Sequence, residues 1–279
     1  MALANRSIAS LNDATTAGTT LNIPVGSGNN RVVVAAITQF RSPVTVTAAT
    51  LNGVVGTLVD TSDNPAATRR AIAYIWLDAD LPSSAGDYTV AYTGAGTDVD
   101  IHAIHYSGAA QDSTPTSAKA SADSGATSIS LNPALTAGAI FIAATANATM
   151  TITGGQTAIL ASSNSGNVSH ASGYKESAGP VSYSMSSAGY AAIAVSIEEA
   201  AGPSGLTITS VNTTNTAFSA QTDSAVVGTG LSASVVCTYA GIACTNESAS
   251  SSTSLKITFP NFFTNNIKLG RNYEFKVVG

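Results

Sequence analysis

Histidine is the side chain best suited to moving a proton or holding a metal near neutral pH, and this chain has three: His102, His105 and His170. His102 and His105 are three residues apart in the run 100–106 (DIHAIHY), which reads as a strand. Successive side chains of a strand point to opposite faces, so these two imidazoles cannot share a metal unless the strand bulges. Asp98, Asp100 and His102 do fall on one face, which makes them the candidate set for Ca²⁺ or a transition metal. The competing reading, a polar solvent-facing edge leaving the 94–96 turn, is the one we favour. His170 follows the Ser/Asn/Gly-rich stretch 162–169 and reads as a loop-end residue.

Acidic residues occur as close pairs: Asp60 with Asp63, Asp78 with Asp80, and Asp98 with Asp100. Glycoside hydrolysis needs two carboxylates on opposite sides of a sugar, and each of these pairs is too close in sequence to flank one. Aspartate is favoured where strands meet turns because it bonds its own backbone. Serine is abundant, yet no Gly-x-Ser-x-Gly element sits on a strand-to-helix turn, as a hydrolase nucleophile would require. Gly53, Gly56, Gly154 and Gly155 interrupt strand patterns instead of leading into helices, so they do not form a phosphate loop. The chain is expected not to be an enzyme, and no cofactor is implied.

Two further features have alternative readings. Tyr74 and Trp76 share one face of a strand, with Ala73, Ile75 and Leu77 on the other. If the aliphatic face is the core, the aromatic pair is exposed and suited to ligand binding by sugar stacking, or to a protein interface. If both faces are buried, the pair is core, which is the favoured reading. Cys237 and Cys244 flank a six-residue segment, 238–243 (TYAGIA). A two-residue turn at 240–241 sets them opposite each other, and a disulfide there adds roughly 2.5 kcal/mol by chain-entropy reasoning. Cytosolic synthesis argues for the alternative, two small reduced core hydrophobes.

The elements that position these residues follow from an internal echo. Residues 31–38 (RVVVAAIT) return as 139–146 (AIFIAATA). In the first copy there follow 73–76 (AYIW), 84–86 (SAG) and 88–92 (YTVAY); in the second, 173–175 (GYK), 177–179 (SAG) and 181–183 (VSY). Both copies close on an apolar strand, 100–106 and 190–197. Strand signals recur at 20–25, 31–40, 44–51, 56–60, 70–77, 87–92 and 100–106. They continue at 128–131, 139–146, 150–153, 158–162, 170–176, 181–186 and 190–198, with Gly, Asn, Pro and Ser between them. No window has a convincing period of 3.6 residues. The expected fold is all-β: one jelly-roll-type β-sandwich over 1–199, built from an internal duplication, with each copy supplying part of both sheets.

Composition agrees with sheets. Only 10% of the 279 residues are charged and 44% are hydrophobic, with a mean hydropathy of +0.22. Small and β-branched side chains suit close-packed pleated surfaces, whereas exposed helices need Glu, Lys and Arg on the wet face. A net charge of −5 without a basic cluster argues against nucleic acid as a partner. Arg69 and Arg70, the one basic pair, read as a strand edge or turn. No apolar run is long enough to cross a bilayer, so membrane insertion is not expected. The first ten residues lack the apolar core of a signal peptide, which predicts synthesis in a cytosol.

The segment 198–205 (EEAAGPSG) reads as a break, with 200–205 as a linker. Six or seven short strand signals then follow in 206–279, the rhythm of an immunoglobulin-like sandwich. This segment resembles the IPT/TIG class of immunoglobulin-like domains. The matching elements are 208–212 (ITSVN), 227–231 (VGTGL), 239–244 (YAGIAC), 255–260 (LKITFP) and 270–277 (GRNYEFKV). In that class the Gly-x-Gly element turns into the second strand, the place Gly228 and Gly230 would take here.

The first 200 residues resemble β-sandwich modules found on bacteriophage particles and in repetitive bacterial surface proteins. The similarity rests on 86–90 (GDYTV), 105–108 (HYSG) and the shortened second copy. It implies a virion structural protein made in the host cytoplasm and carried on the virion surface, as a capsid decoration, fibre or tail-associated protein. The expected partners are the major capsid or tail proteins of the same particle, further copies of the chain, and a host-surface glycan. Residues 4–19, a polar lead, are expected to act as a docking arm that orders on assembly by strand addition. The rival reading is a carbohydrate-binding adhesin or extracellular surface module of a bacterium, using Tyr74 and Trp76 or the Asp98–Asp100 edge.

Overall fold

The structure, a computed structural model, describes residues 3–14, 20–40, 46–66, 68–94, 98–165, 168–200, 207–212, 224–229, 236–239, 242–243, 245–246, 254–258 and 275–278. Among the described residues all sheet pairings are antiparallel, and the chain divides into two units, Met1–Ala200 and Ala201–Gly279.

The first half of the N-terminal unit contains nine strands: β1 (Ala4–Ala14), β2 (Thr20–Val25), β3 (Val32–Phe40), β4 (Ala48–Leu51), β5 (Val54–Val55), β6 (Thr57–Asn64), β7 (Arg69–Leu77), β8 (Gly86–Thr93) and β9 (Val99–Ser107). They form two sheets, in the orders β2-β8-β4-β5 and β1-β9-β3-β7-β6. The pairing is nested: β1 meets β9, β2 meets β8, β3 meets β7, and β4 meets β5. Strand β2 shows how local pattern sets a face. Leu21, Ile23 and Val25 point inward and Thr20, Asn22 and Pro24 outward, and Pro24 is tolerated because β2 is an edge strand. The β4–β5 hairpin turns through Asn52 (φ 48°) and Gly53 (φ 84°), the two positive φ values that a two-residue hairpin with the right twist requires.

The second half contains β10 (Ser117–Leu131), β11 (Gly138–Ala146), β12 (Met150–Ile152), β13 (Thr157–Ser165), β14 (Val168–Lys175) and β15 (Val181–Glu198). They form one sheet, β10-β15-β11-β14-β13, with β12 on β15. This sheet folds over on itself, because β10 and β15 are long enough to serve two layers. Residues 117–122 of β10 pair with 190–195 of β15, while 128–131 pair with 181–184, with register shifts between Ala122 and Ser128. Gly189 sits at the crossing, where a Cβ would run into the Asp123 carbonyl oxygen. The two halves therefore have the same strand order. The start of β10, the end of β15, β11, β14 and β13 stand where β1, β9, β3, β7 and β6 stand in the first half.

Three apolar interiors result. One lies between the two sheets of the first half and holds Trp76, Tyr74, Tyr88, Tyr92, Ile23 and Leu51. A second lies inside the folded-over sheet, around Tyr183, Ile129, Ile140, Ile142 and Met150. The third joins the halves, bringing Val34, Ala36, Ala73, Ile75 and Ile104 against Phe141, Ala143, Tyr174, Ile193 and Val195.

The all-β, sandwich-type fold expected from the sequence is present, but the two copies do not share sheets as expected there. Each half closes its own pair of layers, and the halves meet face to face. The reason is that β3 and β11 are apolar on both sides: every residue of Val32–Gln39 and of Ala139–Ala146 is buried. Such a strand must be covered twice.

The N-terminal lead also differs from the free docking arm expected of residues 4–19. Ala4–Ala14 is β1, paired with β9, and it contributes Ala9 and Leu11 to the first interior. Apolar side chains at alternate positions dock it as an edge strand.

In the C-terminal unit, β16 (Thr207–Asn212), β17 (Ser224–Thr229), β21 (Ser254–Thr258) and β20 (Thr245–Asn246) form one sheet in that order. The other sheet has the order β19 (Ile242–Ala243), β18 (Val236–Tyr239) and β22 (Phe275–Val278).

Candidate functional site

Strand alternation sends His102 and His105 to opposite faces of β9, and both are fully buried. His102 faces the seam between the halves. There its Nε2 lies 3.1 Å from Thr38 Oγ1, on β3, and the same hydroxyl lies 2.8 Å from His170 Nδ1, on β14. One hydroxyl of the first half thus joins an imidazole from each half. His170 is the third residue of β14 and is buried, which corrects the loop-end reading. The Ser/Asn/Gly stretch before it is itself largely strand, because β13 runs to Ser165.

Both imidazoles are neutral. Burial pushes His102 down to about 3, helped by the neighbouring His170. Burial likewise takes His170 to about 3, helped by the Arg69 guanidinium. Among the described residues, the remaining nitrogens, His102 Nδ1 and His170 Nε2, have no hydrogen-bond partner, and neither do the buried hydroxyls of Thr145 and Ser172.

Asp98 and Asp100 do not complete a metal site with His102. Asp98 precedes β9 and has φ 54°, outside the strand geometry that would align it with the other two. Among the described residues, no group of three His, Cys, Asp or Glu side chains is arranged to hold a metal ion. Tyr74 and Trp76 are inside the first interior, and Trp76 Nε1 donates to the Val54 carbonyl at 2.9 Å. The opposite face of β7, Ala73 and Ile75, is buried in the seam. This aromatic pair, Tyr74 and Trp76, is therefore not exposed for sugar stacking. Cys244 lies outside the described residues, so the disulfide reading does too; nearby, Thr238 pairs with Ala243 and Tyr239 with Ile242.

The acidic pairs have structural partners. Asp78, in the short 3₁₀ turn after β7, receives Arg31 Nε at 2.7 Å and the Asn30 amide at 2.9 Å. Asp80 accepts the Leu77 amide at 3.2 Å. Asp60 and Asp63 are within β6, not at a turn. Asp60 receives Lys119 Nζ at 2.7 Å and Ser117 Oγ at 2.9 Å, both from β10. Burial raises the Asp60 carboxyl, but these donors and the Thr61 amide outweigh it and hold it below its ordinary value. Arg69 opens β7, buried and stacked 4.8 Å over the Phe40 ring, which places it inside rather than on the expected edge or turn.

These contacts form two fastenings along the seam. At one margin, β6 is tied to β10: Ser62 Oγ bonds the Ala120 carbonyl at 2.8 Å and Asn64 Nδ2 the Ala122 carbonyl at 2.6 Å. At the other, Arg6 of β1 stacks 4.5 Å over Tyr174 and pairs with Glu176, which also accepts the Tyr106 hydroxyl at 3.0 Å. Thr61, Asp63, Lys119 and Ser121 line a shallow polar groove on the first of these margins.

No known protein family, curated protein or solved structure matches the chain. The geometry of the residues picked out by sequence as chemical joins β layers. Sequence reasoning missed Thr38 and Arg69 as members of the buried cluster. The available signal was a hydroxyl ending the apolar run 32–38.

Proposed function

We propose that the chain is a non-enzymatic structural protein of a bacteriophage particle, a surface-exposed capsid decoration, fibre or tail-associated protein that works through protein–protein contacts. One observation carries the reading: the side chains best suited to chemistry are spent as fasteners between β layers. Thr38, His102 and His170 join the two halves, and Trp76 clamps the β5 corner.

The nested pairing of the first half supports a jelly-roll reading, and the matching strand order of the second half supports an internal duplication. The four- and three-stranded sheets of the C-terminal unit suit an immunoglobulin-like sandwich of the IPT/TIG kind. The apolar side chains of Val54, Val55 and Leu58, exposed at the corner of β5 and β6, suit contact with a neighbouring protein. A carbohydrate-binding surface module would draw on Tyr74 and Trp76, and their burial favours the structural reading.

The test is mass spectrometry of purified particles with quantified copy number. Hundreds of copies per particle fit a capsid decoration, and a handful fit a fibre or tail position. A chain absent from particles, remaining monomeric at high concentration and binding glycans on an array, would overturn the proposal.

A further inference from the structure

The seam between the halves is apolar at one end and polar at the other. Along β3, Val32, Val34 and Ala36 give way on the same face to Thr38; along β9, Tyr106 and Ile104 give way to His102 and then Asp100. Along β7, Ile75, Ala73 and Ala71 give way to Arg69. The second half answers with His170 and Ser172 on β14 and, paired with His170, Thr145 on β11. Arg69 and Asp100 are the charged side chains facing this cluster, Asp98 stands just before β9, and all three have interactions of their own.

We propose that the Thr38–His102–His170 chain is an acid-sensitive latch: proton uptake by the two imidazoles parts the halves of the N-terminal unit along this seam, while each half keeps its own interior. The hydrogen-bond chemistry points this way. A threonine hydroxyl has one proton and two acceptor sites, so between two neutral imidazoles it donates to one ring and accepts from the other. Once both rings are protonated they present only N–H groups, and the Thr38 proton has no acceptor left between them. Two positive charges then flank one buried oxygen, beside the Arg69 guanidinium.

The seam is also richer in small side chains than the first interior. Ala36, Ala71, Ala73, Ala139 and Ala143 supply much of it, whereas Trp76 and three tyrosines fill the first interior. Apolar stabilisation scales with area removed from water, so the seam yields before the first interior, where Trp76 sits. The sign follows from proton linkage. Both imidazoles are held near 3 when buried, and an imidazole in water titrates near 6.5. As pH falls below that value, the open form takes up protons that the closed form refuses. Opening gains about tenfold per pH unit for each histidine, and the gain ends near pH 3.

The experiment acidifies the full chain from pH 7 to 4 while recording binding of the apolar dye ANS and the emission of Trp76, the one tryptophan. The expected result is a several-fold rise in dye binding with Trp76 emission unchanged, because Trp76 lies between the two sheets of the first half. The double variant His102→Asn, His170→Asn should lose the rise, and His105→Asn, on the opposite face, should keep it. A Trp76 shift in step with dye binding would mean global unfolding and overturn the latch. An unchanged acid response in the double variant would do the same. If that variant fails to fold, imidazole NMR of the unmodified chain decides. His102 and His170 signals that stay neutral until the dye binds support the latch, and signals titrating near 6.5 in the closed form overturn it.

Discussion

The indole of Trp76 occupies the space in which Gly56 would carry a Cβ: such an atom would sit 2.6 Å from Cζ2 of the ring. The same indole donates to the Val54 carbonyl, so the β5–β6 corner is pinned both by contact and by a hydrogen bond. Gly56→Ala forces the ring or the corner to shift. It should destabilise the N-terminal unit by about 1–3 kcal/mol, the usual cost of overpacking. Urea unfolding followed by Trp76 fluorescence reads this directly, and a midpoint equal to that of the unmodified chain would contradict the contact.

Thr38→Val keeps the shape of the side chain and removes its hydroxyl. His102 Nε2 and His170 Nδ1 then lose their shared buried partner. Each orphaned group costs roughly 1–3 kcal/mol, while Thr38→Ser, which keeps the hydroxyl, should cost clearly less. The comparison by thermal unfolding separates hydrogen bonding from packing; equal losses would show that packing alone matters.

The β6–β10 margin allows a test of buried against exposed fastening. Asn64 is buried, with its amide on the Ala122 and Tyr190 carbonyls at 2.6 and 3.3 Å. Lys119 is half exposed in its 2.7 Å pair with Asp60. Asn64→Ala should cost about 1–3 kcal/mol by stranding buried carbonyls, and Lys119→Ala no more than about 1 kcal/mol, since solvent screens the pair. Only the second should vary with salt.

High pH should unfold the N-terminal unit. Burial raises the phenols of Tyr74, Tyr92, Tyr106, Tyr183 and Tyr190, with Glu176 adding to the effect at Tyr106. A phenol in the unfolded chain ionises near 10. Stability from these residues is therefore complete below that pH and lost progressively above it, as the unfolded state releases protons first. Ultraviolet titration should show a class of tyrosines that ionise only together with unfolding. Smooth ionisation of every tyrosine near pH 10 in the folded state would refute their burial.

Much of the strand pattern was readable because a strand with one wet face writes its period into the sequence. Residues 20–25 were expected as a strand and form β2 without change, since Leu21, Ile23 and Val25 alternate with polar or proline neighbours. Strand β1 was missed because Ala, Ser and Asn dominate it, and small polar residues carry little periodic signal. The signals at 181–186 and 190–198 read as two strands but belong to one, β15. Gly189, which resembles a break, is instead the point where two strands cross too closely for any side chain.

The sequence alone determined that this chain is all-β, where most of its strands lie, and that His102 and His105 point apart. Those properties depend on a residue and its near neighbours, through the two-residue period of a strand. Tertiary structure decided which surfaces meet. Strands such as Val32–Phe40 and Gly138–Ala146 are apolar on both sides, and a side chain buried on either face looks the same in sequence. Only the stacking of the two halves brought Thr38 to His170, 132 positions away. It also turned Tyr74 and Trp76 into core, because burial on the second face depends on a partner sheet that no local pattern specifies.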